Sequence, residues 1–216
     1  MKTNIKLKKA YSNRLNQEIL RKKALLKGVN LMAPETIFLS ADTFFGKNVT
    51  IEPYVVFGTK VKIGNNVTIK SFSNLENCIV ENKVDVGPYA RIRPGVVLKE
   101  GSKVGNFVEI KNSKIGNNTK INHLAYIGDT IIGTNTNIGA GTITCNYDGI
   151  KKNKTTIGNN VFIGSNCSLI APIKIGNKSF IAAGSTISNN VDKNGFSIAR
   201  AKQQIIKNGR SKFLKV

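Results

Sequence analysis

Aliphatic side chains recur along this chain at every sixth position. Ile157, Ile163, Leu169, Ile175, Ile181 and Ile187 form the cleanest run, and the same spacing runs through Phe45, Ile51, Phe57 and Ile63. Each unit reads as one aliphatic residue, often a glycine next, two turn residues, then a small or β-branched residue. Six residues hold one short strand and one tight turn. Three such units close a triangular coil with the leading aliphatic side chain inside, and stacked coils bury one continuous apolar column between parallel strands. Gly64-Asn65-Asn66, Gly116-Asn117-Asn118 and Gly158-Asn159-Asn160 have the chemistry of turns that need positive φ. The pattern predicts an all-β chain built as a parallel β-helix, a hexapeptide-repeat solenoid.

The interruptions carry information too. The step shortens to five between Ile110 and Ile115 and again between Ile127 and Ile132. Between Ile138 and Ile157 the period breaks over a segment containing Thr144-Cys145-Asn146-Tyr147-Asp148-Gly149, which is expected to project as a loop and shape a binding site. Outside the repeat, Ser12 to Lys27 predicts a helix with Leu15, Ile19 and Leu26 on one face, Ser12 as its cap and Gly28 at its end. The division that follows is an N-terminal segment with a helical arm (1–30), the solenoid (31–200) and a basic tail (201–216), the last expected to cross to a neighbouring subunit.

Composition narrows the classes. With 216 residues and 40% hydrophobic content the chain can bury a core, but its apolar runs are too short to span a bilayer, and the basic N-terminus lacks a signal-peptide pattern. Cys78, Cys145 and Cys167 are unpatterned, which fits reduced thiols and a cytoplasmic location. The net charge of +21 raises nucleic-acid binding as a reading. The charge is spread along the chain and tryptophan is absent, which favours a solvated lysine surface that steers anionic substrates.

A repeat specifies a fold and not a reaction. Hexapeptide solenoids with a catalytic metal use three histidines, and this chain has one. That one, His123, falls at a turn position in Ile121-Asn122-His123-Leu124-Ala125-Tyr126. A side chain there points outward, and imidazole as a group can accept a proton near neutral pH.

The stretches Gly87-Pro88-Tyr89-Ala90-Arg91-Ile92-Arg93-Pro94-Gly95, Gly105 to Lys111, His123 to Asp129 and Asn137 to Gly149, in that order, closely resemble one family. It is the acetyltransferase domain of the bacterial bifunctional N-acetylglucosamine-1-phosphate uridyltransferase/glucosamine-1-phosphate acetyltransferase. The resemblance covers roughly Ser12 to Arg200. It implies a left-handed solenoid, a homotrimer with sites between subunits, and transfer of acetyl from acetyl-CoA to the amine of glucosamine-1-phosphate without a metal. His123 matches the general base, and Glu109 is a candidate to orient it. Arg93, Lys111, Tyr126, Asn137 and Lys152 match the sugar-phosphate site. Ala140, Asn146, Tyr147, Ser165, Ala183 and Arg200 match the cofactor site. The family's uridyltransferase domain has no counterpart ahead of Ser12, so uridyl transfer is not expected of this polypeptide. A hexapeptide acyltransferase for another amino sugar, and a non-catalytic basic solenoid on nucleic acid, stand as the alternatives.

Overall fold

A computed structural model describes residues 2–207 and 209–210. Helix α1 (Lys2–Leu26) leads into a left-handed parallel β-helix whose strands run from Asn30–Leu31 to Phe196–Ser197. Every strand pairs in parallel with the strand one coil away, and three flat faces result. The first face passes through Thr50–Ile51, Thr68–Ile69, Asp85–Val86, Asn137–Ile138, Phe162–Ile163 and Phe180–Ile181. The second passes through Val56–Phe57, Asn74–Leu75, Arg91–Ile92, Ile143–Cys145 and Ser168–Ile170. The third passes through Phe44–Phe45, Lys62–Ile63, Val96–Leu98 and Thr155–Ile157. Two strands, Lys103–Lys111 and Lys120–Gly128, bend around the corner and belong to the first and second faces together. The six-residue period visits the three faces in turn, so every third hydrophobic position shares a column.

Those columns are the core. The first face contributes Ile51, Ile69, Val86, Val104, Ile121, Ile138, Ile163 and Ile181. The third contributes Phe45, Ile63, Val80, Leu98, Ile115, Ile132, Ile157 and Ile175. Each buried aliphatic side chain is worth about 1.5–3 kcal/mol. The second face runs Phe57, Leu75, Ile92, Ile110, Ile127, Thr144, Leu169 and Ile187, with one hydroxyl in the series. Thr144 is fully buried, and its Oγ1 accepts from the Gly128 N–H at 2.8 Å. Cys167 is buried in the same stack of coils, and the buried Cys78 thiol is pushed up to about 12 by desolvation.

Three expectations need correction. Thr144 and Cys145 belong to the solenoid, in a strand paired with Leu169 and Ile170, and the excursion comprises the residues after them. The spacing between neighbouring coils shows its length: 17 or 18 residues along most of the first face, but 25 from Asn137 to Phe162. The helix begins at Lys2, so Ser12 lies inside it and caps nothing. Its docked side is Gln17, Leu20, Arg21 and Ala24, while Leu15, Ile19 and Leu26 are exposed. Gln17 both donates to and accepts from the Leu39 backbone, and Arg21 donates to the Ile37 carbonyl at 2.8 Å. Polar side chains dock this helix because the first coil presents backbone that no earlier coil satisfies. Gly28 ends it as expected, at φ 81, with the Val29 N–H bonded back to Ala24. In the turns, the asparagines take positive φ, as at Asn66, Asn118 and Asn160. The glycines of the same triplets, Gly64, Gly116 and Gly158, serve close approach instead: a Cβ on Gly116 would lie 2.3 Å from the Gly133 carbonyl oxygen of the next coil.

The corner between the first and second faces is unusual. Tyr54, Phe72, Tyr89, Phe107 and Leu124 all hold positive φ there, between 53 and 62°. The four aromatic rings stack in succession at centroid spacings of 4.9, 4.8 and 5.2 Å, and all remain about half exposed. After Leu124 the same corner position becomes Gly141, Asn166 and Gly184. A bulky ridge therefore gives way to a corner of small side chains at the coil that carries His123. Phe162, Phe180 and Phe196 make a second exposed stack on the first face.

Gly116→Ala is expected to keep the fold but lower its stability by about 1–3 kcal/mol, the usual cost of overpacking. For a chain of this size that is a Tm shift of roughly 2–12 °C, read by thermal unfolding against a surface substitution such as Lys47→Ala.

Candidate active site

The corner coils place several candidate residues in one line. His123 pairs across the sheet with Asn106 in the coil before it. In the following coils Ala140, Ser165 and Ala183 occupy the same corner position. The Leu124 carbonyl receives the Gly141 N–H at 2.7 Å, Ala140 receives Asn166 at 2.7 Å, and Ser165 receives Gly184 at 2.8 Å. Arg200 closes the line with its guanidinium donating to the Ala183 carbonyl at 2.7 Å. At the ordinary strand spacing, His123 to Arg200 covers four coils, roughly 19 Å. His123 and Ser165 are exposed, and the small side chains leave the backbone of this corner open to a long, narrow ligand.

A second group lies on the second face. Outward positions there form two rows, because strands pair in register. One row is Arg91, Glu109, Tyr126 and Ile143, and the next is Arg93, Lys111, Gly128 and Cys145. Gly128 leaves a gap in the second row. A Cβ there would meet the Tyr126 hydroxyl and the Asn146 amide nitrogen, each at 2.7 Å, so these two polar groups converge over the glycine. Three cations crowd beside them. The Lys111 ammonium is held below its ordinary value, first by the Lys152 amine within hydrogen-bond reach, then by desolvation and by Arg93, while Asp129 pulls the other way. Such a cluster favours an anion placed between its members.

Glu109 does not turn to His123. Its carboxylate takes the Arg93 guanidinium at 2.7 Å and lies 3.8 Å from Arg91, so in this structure it orients the cation cluster. Asn137 is placed elsewhere as well, on the first face between Lys120 and Phe162. One chain thus holds the corner line and the cation cluster on adjoining surfaces, with Asn137 around the corner from the cations.

The excursion after Cys145 is a short hairpin in which Tyr147 bridges Lys152. Asp148 organises it by accepting the Ile150 and Lys151 N–H groups and the Asn153 amide, which hold its carboxyl down to about 2. The Tyr147 hydroxyl donates to the Gly149 carbonyl at 2.6 Å. Asn146 stands at the base, buried, with its amide nitrogen donating to Asp129. Gly128, Asp129 and Asp148 carry no role in the sequence reading. The signal available for Asp129 was its place directly after Gly128, where a short polar residue suits a left-handed turn.

Curated relatives match almost the whole chain. It is 50% identical over 198 residues to "Bifunctional protein GlmU" of Zymomonas mobilis, covering 92% of this chain and 43% of that protein. It is 51% identical over 187 residues to the protein of the same name from Wolbachia pipientis, covering 87% and 44%. The chain is homologous to the C-terminal part of these bifunctional proteins. It spans less than half of their length. Two family profiles agree with the repeat: the bacterial transferase hexapeptide over residues 42–77 and 154–189, and the GMPPB C-terminal domain over 74–150. Among solved structures, a UDP-N-acetylglucosamine O-acyltransferase of Moraxella catarrhalis superposes with a TM-score of 0.62 at 15% identity, over 76% of this chain and 71% of that one, a likeness of fold.

Gly128→Ala should leave the fold intact, since the groups it displaces are side-chain ends, but push apart Tyr126 and Asn146. Turnover is expected to fall about 10-fold or more, the scale of one lost hydrogen bond in a buried site. Circular dichroism should remain that of the wild type.

The Asp148 carboxylate, with its folded pKa below the unfolded value, supports the hairpin fully above about pH 4. That support is lost as pH falls through about 2. Hydrogen exchange of the Ile150 and Lys151 amides should therefore stay slow at pH 4 and accelerate towards pH 2 by more than the intrinsic rate changes. In Asp148→Ala those amides should be unprotected throughout.

Proposed function

We propose that the chain is a glucosamine-1-phosphate N-acetyltransferase acting on acetyl-CoA as a cytoplasmic homotrimer, on the route to UDP-N-acetylglucosamine. The observation that carries this reading is the line of His123, Ala140, Ser165, Ala183 and Arg200 along one corner, beside a cluster of three cations. The corner suits an extended thioester cofactor with its anionic end at Arg200, and the cluster suits a sugar phosphate. His123, exposed at the top of the line, takes the proton from the sugar amine as the nitrogen attacks the thioester carbonyl. The new C–N bond forms, the C–S bond breaks, and the departing thiolate recovers a proton from the imidazolium. Transfer is direct, without a covalent enzyme intermediate and without a metal.

The trimer reading draws support from two features. The stacked aromatic ridge and the Phe162–Phe180–Phe196 stack leave apolar surface in solvent, as association surfaces do. Asn137 sits on a different face from Lys111 and Arg93, so a second copy can supply it to the first copy's cations. Arg200 closes this chain's own line, and the basic tail beyond it would serve a neighbouring subunit's cofactor; part of that tail lies outside the described residues. No helix among the described residues is long and apolar enough to cross a membrane.

Thiol release from acetyl-CoA should be fast with glucosamine-1-phosphate and at least about 10²-fold slower in kcat/KM with glucosamine, which lacks the charge for the cluster. Equal rates with both acceptors would defeat the assignment of the cations to a phosphate. His123→Ala should lower kcat by about 10²-fold or more with the fold intact, and chelator should leave wild-type turnover unchanged. Lys111→Ala and Asn137→Ala should each be nearly inactive alone. Refolded together one to one, they should recover about a quarter of wild-type activity, the share of interfaces that unite two intact halves. No recovery would place both residues in one subunit's site.

A further inference from the structure

We propose that Asp129 is a positioning residue of this site, one that fixes which end of the Asn146 side-chain amide is left for the substrate. The Asp129 backbone is in the left-handed region at φ 50. It is tied on both sides: its N–H donates to the Lys111 carbonyl at 3.1 Å, and its carbonyl accepts the Thr155 N–H at 3.3 Å, where the chain returns from the hairpin. The carboxylate that emerges is doubly used. One oxygen accepts the Asn112 amide of the preceding coil, the other the Asn146 amide of the following coil.

A carboxylate only accepts hydrogen bonds, so the amide facing it must present its NH₂. The Asn146 carbonyl oxygen is then the free end, and among the described residues no protein donor reaches it, while the residue as a whole is 6% exposed. That oxygen is not among the fully buried unpartnered atoms, so it keeps an opening through which a ligand's donor can reach it. The Tyr126 hydroxyl, which meets the Asn146 amide nitrogen over Gly128, and the Lys111–Lys152–Arg93 cluster that Asp129 faces put this side chain beside the proposed sugar-phosphate site. The donor it suits is an amine N–H, which turns the nitrogen lone pair towards the thioester. This last step rests on the acetyl-transfer reading; the amide orientation does not.

Asp129→Asn keeps the shape but offers a donor, and Asn146 can then turn its amide over and face the substrate with NH₂. For this variant kcat/KM for glucosamine-1-phosphate is expected to fall about 10-fold or more, with Tm and oligomeric state unchanged. The double variant Asp129→Asn/Asn146→Asp restores the bond with reversed polarity and keeps an acceptor on the free side. It should recover most of the loss, which a merely structural role would not predict. Undiminished kcat/KM in Asp129→Asn, or a folded double variant no better than the single one, would overturn the proposal. A readout independent of turnover is the wild-type Asn146 side-chain amide in protein labelled with ¹⁵N at asparagine, identified by its loss in Asn146→Ala. It should be protected from exchange and shifted downfield, and both properties should vanish in Asp129→Asn. The shift and exchange of a free asparagine in the wild type would also sink the idea. Absent wild-type turnover alongside a protected amide would defeat the acetyl-transfer reading alone.

Discussion

The hydrogen-bond ladder between successive coils is the constraint on which the rest of the structure depends. Each strand is only two or three residues long in most coils, too short to be stable alone, yet every one is bonded to a neighbouring coil, and those inside the stack to both. The spacing between coils is therefore 17 or 18 residues through most of the solenoid, with 20 at its first coil and 16 at its last. A residue's neighbours are set by that count more than by local sequence. Side chains are aligned accordingly: residues spaced by whole coils share one line, as His123, Ala140, Ser165 and Ala183 do.

Tight stacking also decides where side chains are forbidden. Gly116 and Gly128 are both close-approach positions with different consequences. At Gly116 the obstacle is backbone of the next coil, a matter of stability. At Gly128 it is the Tyr126 hydroxyl and the Asn146 amide, so the missing side chain is part of the site. The hairpin after Cys145 is tolerated because it leaves the prism between two strands and returns in register, as the 25-residue spacing shows. Its entry and exit are held by Asp129, and its tip by Asp148.

The surface charge has a local meaning at one place. Lys111, Lys152 and Arg93 repel one another in the free protein, a cost that a bound phosphate would offset. Glu109 and Asp129 temper the cluster from opposite sides, the first by pairing with Arg93 and the second by its field on Lys111. Elsewhere the lysines decorate faces that the fold leaves to solvent.

The six-residue period determined the three-faced solenoid by itself, because one aliphatic side chain per unit is both the sequence signal and the core. Ile157 to Ile187 fill three columns in rotation, as their spacing predicts. Gly28 announced the end of the helix, and the resemblance of four motifs picked out residues that the fold brings together along one corner and one face. What the pattern could not show followed from contacts between distant residues. Thr144 fills a core column with a hydroxyl, which hid one coil inside the apparent loop; its burial is tolerable because Gly128 supplies a donor. The helix docks through Gln17 and Arg21 because the first coil has free backbone, so its apolar stripe misled. Glu109 turned to Arg93, and Asp129 became the clamp on Asn146, because parallel stacking brought residues 16 and 17 positions apart side by side. Sequence periodicity records which side chains face the core; only the stacked coils decide which outward-facing groups meet.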